Sequence, residues 1–238
     1  MAESAAPRAV VFDLDGTLVD TVHDICDALN LALADHALRP MTLDETRLMI
    51  GAGAHTLVVR ALAAAGAPAD EALAEACFAR FLDRYAAAPS VRSEPYPGVR
   101  EALSALSDAG CALGVCTNKP HALTRAILEA LELAPFFGEA VVGGDALPVR
   151  KPDPGHLLAV LERAGAQPDA AVMVGDSATD VAVARAAGAR VVLVAFGYTD
   201  RPAATLGADG VIAHFDELGG ALRRLWAPAS SAEATRRE

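Results

Sequence analysis

The chain is poor in lysine: of its 20 basic residues, only Lys119 and Lys151 are not arginine. A guanidinium is a broad planar fork, whereas an ammonium is a compact point charge that fits among several oxygens. Two lysines in so arginine-biased a chain therefore mark positions where arginine will not do. Cysteine pairs are missing as well. Cys26, Cys77, Cys111 and Cys116 form no C-x-x-C pair and have no histidine at zinc spacing, which argues against a zinc site and for buried thiols in a reducing cytoplasm. Every long apolar run is broken by charge, Gly or Pro, and Met1 to Pro7 lacks the basic start and apolar core of an export signal. These absences predict a cytoplasmic protein with no membrane span. Excess positive charge is also lacking. A formal net charge of −11 leaves no broad footprint for nucleic acid, although a local basic pocket could hold a small anion.

With 238 residues, 53% of them hydrophobic and 21% charged, the chain can bury the core of one large domain or two unequal ones. Its organising stretch runs from Ala9 to Asp20. Ala9-Val10-Val11-Phe12 is a short apolar run of the kind a parallel sheet buries on both faces, and the turn-forming Asp15-Gly16 follows. Ending the strand near Asp13 sets the Asp13 and Asp15 side chains beyond the carboxyl edge of the sheet, where open α/β sheets bind ligands. Gly16 has no side chain to obstruct a ligand near the backbone.

From Val22 to about Ser90 no convincing strand follows. The periodicity predicts helices after Asp20, over Thr42–Met49, Ala54–Ala65 and Asp70–Ala87, with Asp70 as an N-cap. This is a helical insert of roughly seventy residues, long enough for a small domain. Within it, Gly51-Ala52-Gly53 is a weak match to a dinucleotide-binding turn, because the third glycine and the preceding strand are missing. A helix-to-helix turn that touches a ligand is the better reading.

Alternating helix and strand resume at Tyr96 and run to Trp226. A strand ending at Cys116 runs into Thr117-Asn118-Lys119-Pro120, where Asn118 can cap a helix whose free N–H groups suit a phosphate. Lys119 reads as a solvated charge. Lys151 precedes a helix opened by Asp153-Pro154, and its stem can reach inward. The strand Ala171–Val174 delivers Asp176. Ser177 and Asp180 have capping-box spacing, so Asp180 has a structural explanation and Asp176 has none.

Strand ends and loops thus supply Asp13 and Asp15, then Thr117 and Asn118, then Lys151, then Asp176 and Asp180. The segments DLDGT, TN, KPDP and GDSATD resemble the four motifs of the haloacid dehalogenase superfamily over nearly the whole chain. IGAG in the insert, TNKP, VVGGD and VGDSATD look like the phosphoglycolate phosphatase family within it. The resemblance implies a Rossmann-like, mostly parallel α/β core formed by residues 1–19 and 95–227. It also implies a helical C1-type cap over residues 20–94, while the Ser/Ala-rich, charged composition of 228–238 predicts a flexible tail.

The resemblance implies Asp13 as nucleophile and Asp15 as acid, then base. Thr117 and Lys151 would hold phosphoryl oxygens, with Gly16, Thr17 and Asn118, and Gly51 and Gly53 of the cap, around the substrate. Mg²⁺ would be bound by Asp13, the Asp15 carbonyl and Asp176, with Asp180 behind them. Physics agrees, since carboxylates repel by roughly 4 kcal/mol per pair at 4 Å and an effective dielectric near 20. A bound Mg²⁺ and the Lys151 ammonium offset that repulsion. The expected activity is hydrolysis of a small phosphorylated metabolite, 2-phosphoglycolate before others, by a monomer or homodimer. A haloacid dehalogenase needs neither Asp15 nor Asp176. A hexose-phosphate mutase, a sugar-phosphate phosphatase and a non-catalytic phosphate-binding protein remain as alternatives.

Overall fold

The computed structural model describes residues 7–199 and 201–227. The tail expected from residue 228 onward lies outside them.

Strand β1 (Ala9–Phe12) is completely buried and hydrogen-bonds on both sides, to β4 (Ala112–Cys116) and to β6 (Ala171–Gly175), in parallel register. β5 (Val141–Val142) extends the sheet beyond β4, and β7 (Arg190–Val194) and β8 (Gly210–Ile212) extend it beyond β6. The order is therefore β5-β4-β1-β6-β7-β8, all parallel. The chain builds outward from β1 first on one side and then on the other. That reversal leaves a crevice at the carboxyl end of β1, the place where such sheets bind ligands.

Because strand side chains alternate, Val10 and Phe12 face one apolar layer while Ala9 and Val11 face the other. The first layer includes apolar residues of α5 (Val99–Asp108), α6 (His121–Ala130) and α9 (Leu218–Trp226). The second is supplied by α7 (Pro154–Arg163) and α8 (Ala178–Ala187). Phe12 meets Phe137 edge-on at a centroid distance of 6.3 Å, and burying a side chain of this size contributes about 1.5–3 kcal/mol. Asp153 caps α7 as its sequence predicts, accepting from the Gly155 N–H at 2.8 Å.

Helices α1 (Val22–Ala34), α2 (Leu43–Met49), α3 (Ala54–Ala64) and α4 (Glu71–Ala87) follow one another without an intervening strand. The expected cap forms here too, with Asp70 accepting from the N–H groups of Ala72 and Leu73, and Thr42 and Glu45 add a capping box at the start of α2. The segment enters through β2 (Val19–Asp20) and leaves through β3 (Glu94–Pro95), which pair antiparallel as a two-stranded ribbon. A buried carboxylate ties the ribbon to α1. Asp24 accepts from the N–H groups of Val91, Arg92 and Ser93 and from the Ser93 hydroxyl, at 2.6–3.0 Å. All four cysteines are free thiols. No helix among the described residues is long and apolar enough to cross a membrane.

Candidate active site

Asp13 follows β1 directly, its N–H still bonded to the Val174 carbonyl at 2.9 Å, so its side chain emerges at the carboxyl edge between β4 and β6. It is buried, and its Oδ2 lies 2.9 Å from Lys151 Nζ. Burial pushes its carboxyl up to about 6, with Lys151 pulling down and Asp180 and Asp15 pushing up. Gly16 turns the chain with φ +76°. A Cβ there would lie 2.6 Å from Asp176 Oδ2 and 2.9 Å from the Tyr198 ring, so glycine is required both by conformation and by space. Thr17 is completely buried and its hydroxyl has no hydrogen-bond partner among the described residues.

Asp176 leaves β6 as Asp13 leaves β1. Burial and the neighbouring Asp180 and Asp13 carboxylates raise its pKa well above the usual carboxylate range. Carboxylate oxygens of Asp13, Asp176 and Asp180 fall within 4.8 Å of one another. Asp180 does more than cap α8. Its Oδ2 accepts from the Asp176 N–H, the Ser177 N–H and the Ser177 hydroxyl, while its Oδ1 lies 2.7 Å from Lys151 Nζ. Asp180 thus takes four donors, whereas Asp13 takes two, the Leu14 N–H and Lys151, and Asp176 takes the Tyr198 N–H, so Asp13 and Asp176 keep the greater capacity for a cation. Lys151 is buried, and although burial opposes its charge, Asp13 and Asp180 outweigh it and raise its pKa. Three buried carboxylates and one ammonium leave an excess of negative charge that fits a hard divalent cation.

The structure corrects two expectations. Lys119 is not a solvated charge: its side chain is 3% exposed, with Nζ 3.0 Å from Asp15 Oδ1 and 2.7 Å from the Tyr85 hydroxyl on α4. Burial lowers its pKa while Asp15 pulls the other way. Asn118 does not cap α6, whose N-cap is Pro120. Its Nδ2 instead donates to the carbonyls of Gly51 and Lys151, pinning the glycine turn of the helical segment to the sheet edge. Thr117 is buried beside it and accepts from the Lys119 N–H.

A cavity of about 40 Å³ is lined by Asp13, Asp15 and Thr117 on one side and by Gly51, Gly53 and Tyr85 on the other. Two further residues gave no functional signal in the sequence. Thr21 donates its hydroxyl proton to Asp15 Oδ1 at 2.6 Å, and Tyr198 spans the site and the ribbon. The Tyr198 N–H donates to Asp176 Oδ2 at 2.6 Å, and its hydroxyl accepts from the Thr21 and Val22 N–H groups while donating to Asp20.

A family model of haloacid dehalogenase-like hydrolases matches residues 7–188. The chain belongs to this family. Among its haloacid dehalogenase-like relatives, a phosphoglycolate phosphatase from Caulobacter vibrioides is 51% identical over 87% of this chain and 86% of its own length. Another, from Rhodospirillum rubrum, is 48% identical over 90% of each chain. The crystal structure of a predicted phosphoglycolate phosphatase from Haemophilus somnus superposes with a TM-score of 0.84 at 32% identity, covering 90% of this chain and 96% of that one. The fold expected from the motifs, an α/β sheet of haloacid dehalogenase type, is the fold observed.

Proposed function

We propose that this protein is a Mg²⁺-dependent phosphatase that hydrolyses 2-phosphoglycolate to glycolate and phosphate through an aspartyl-phosphate on Asp13. The observation that carries the reading is the buried group of Asp13, Asp176 and Asp180 around the single ammonium of Lys151, with Asp15 two residues beyond the nucleophile. The relatives' shared name supports the substrate.

An Asp13 carboxylate oxygen attacks phosphorus, the bond to the glycolate oxygen breaks, and Asp15 gives that oxygen its proton. Asp15, now ionised, then takes a proton from a water that attacks the phosphoryl group, releasing phosphate and regenerating Asp13. Lys151 has one N–H left after Asp13 and Asp180, and the Thr117 hydroxyl proton has no acceptor among the described residues, so both can donate to phosphoryl oxygens. Bound by Asp13, the Asp15 carbonyl and Asp176, Mg²⁺ would neutralise phosphoryl charge. Residues 20–94 act as the cap, excluding water over the phospho-enzyme, with the β2–β3 ribbon as hinge.

Phosphate release measured over a panel of small phosphorylated metabolites, with Mg²⁺ and with EDTA, tests this. The expected result is the highest kcat/KM for 2-phosphoglycolate and reversible loss under EDTA. Conversion of β-glucose 1-phosphate without phosphate release would replace the phosphatase with a mutase.

A further inference from the structure

We infer that Lys119 and Tyr85 form the pocket for the substrate's carboxylate and set the enzyme's specificity for carboxylated phosphate monoesters; this rests on the phosphoglycolate reading above. Both line the cavity beside Asp15, Lys119 from the loop after β4 and Tyr85 from α4. They are 5% and 2% exposed, so water does not serve them freely.

Their hydrogen bonds are incomplete. Lys119 Nζ has three N–H groups, of which one direction is used on Asp15 and one on the Tyr85 oxygen. Tyr85 accepts that bond, and its own hydroxyl proton has no acceptor among the described residues. Two buried donors, 2.7 Å apart, therefore line a small cavity that they share with Asp13, Asp15 and Asn118. Much of the remaining wall is apolar, made by Ile25, Ile50, Leu57, Phe81 and Leu123.

The group that fits this arrangement is a small planar anion with two acceptor oxygens. A carboxylate takes one charge-assisted bond from Lys119 and one from Tyr85, relieving both unmade bonds at once. A second phosphate would need more room and more donors than these two supply. The Lys119 ammonium also lies 4.4 Å from the Tyr85 ring centroid, which restrains the two groups relative to one another before the ligand arrives. The phosphoryl end of the same molecule is assigned to Asp13 and Thr117, which line the same cavity, and the single methylene of 2-phosphoglycolate keeps its phosphate and carboxylate close together. A neutral group at the same place would leave both donors unpaired, the situation in which binding sites discriminate most strongly.

The test uses the wild-type enzyme with two competitive inhibitors, 3-phosphonopropionate and propylphosphonate, which differ only in carboxylate against methyl. The expected inhibition constants differ by about 10- to 100-fold in favour of the carboxylate, the range for a hydrogen bond to a charged group. The kcat/KM ratio of 2-phosphoglycolate to 2-hydroxyethyl phosphate is then measured for Tyr85→Phe and Lys119→Met. That ratio is expected to fall by about 10-fold or more in each. Equal inhibition by the two phosphonates overturns the carboxylate pocket, and if the wild-type enzyme also shows no preference for 2-phosphoglycolate, the substrate reading falls with it. A wild-type preference that survives unchanged in both variants overturns the assignment to Lys119 and Tyr85 alone.

Discussion

Lys151 Nζ and Asp180 Oδ1 meet at 2.7 Å with side chains 1% and 0% exposed, and the same ammonium lies 2.9 Å from Asp13. Removing one partner of a buried pair leaves an uncompensated charge and costs about 3–5 kcal/mol. Lys151→Met is therefore expected to abolish turnover and lower the melting temperature. Added Mg²⁺ should restore part of the stability and none of the activity. Calorimetry with and without Mg²⁺ checks this, and a melting temperature equal to wild type would contradict the placement of the charge.

The raised carboxyl of Asp13 sets the pH dependence of the metal-free protein. A carboxyl whose folded pKa is raised binds its proton more tightly when folded, so the repulsion it causes is absent below the unfolded value near 3.8. It grows as the pH rises toward about 6. Asp176 is raised as well, by burial and by the neighbouring Asp180 and Asp13 carboxylates, and acts in the same direction. In EDTA the stability should fall across this range. Mg²⁺ competes with the protons, so the Mg²⁺-induced gain in melting temperature should increase from about pH 5 to about pH 7. Asp176→Asn should flatten both trends. A gain independent of pH would show that these carboxylates do not hold the ion.

Asp15 is bonded to Thr21 and Lys119 rather than to Lys151, apart from the group around Asp13. If it serves proton transfer, Asp15→Asn should lose about 10²–10⁴-fold with an alkyl phosphate. Phosphorylation by an aryl phosphate, whose leaving group needs no proton, should suffer much less, and the phospho-enzyme should accumulate. Mass spectrometry of the quenched enzyme detects it. Equal loss of phosphorylation with both substrates would assign Asp15 another task.

Much of the architecture was legible because parallel strands buried on both faces are written as continuous apolar runs. The residues that end those runs, Asp13, Thr117 and Asp176, gather wherever the sheet order brings the strand ends together. Lysine scarcity pointed at both Lys119 and Lys151, yet only Lys151 read as functional. The burial of Lys119 depends on Tyr85, 34 residues earlier on a helix whose packing no local pattern reveals. Asn118 has the composition of a cap, and Pro120 occupies that position instead, which frees the Asn118 amide for Gly51. Tyr198 was illegible for the same reason. Its hydroxyl meets Thr21 across 177 residues of sequence.

That contact supports a last prediction, for Tyr198→Phe. The hydroxyl accepts from the first two N–H groups around the start of α1 and donates to Asp20 on β2, so it fastens the hinge. The backbone N–H of the same residue holds Asp176, and the ring packs against Gly16. Phenylalanine keeps the ring and the backbone N–H and removes only the oxygen. The Thr21 N–H then loses its acceptor and the Val22 N–H keeps only a 3.4 Å contact to Asp20, at a cost of about 1–3 kcal/mol. The hinge should loosen while the carboxylate group stays in place. The expected outcome is faster amide exchange at Thr21 and Val22 and a raised KM for 2-phosphoglycolate, with the Mg²⁺-induced gain in melting temperature kept. Loss of that gain would mean that the hydroxyl, and not only the backbone, supports Asp176. Unchanged exchange at Thr21 and Val22 would show that the hinge is held by the Asp24 contacts to residues 91–93 without help from Tyr198.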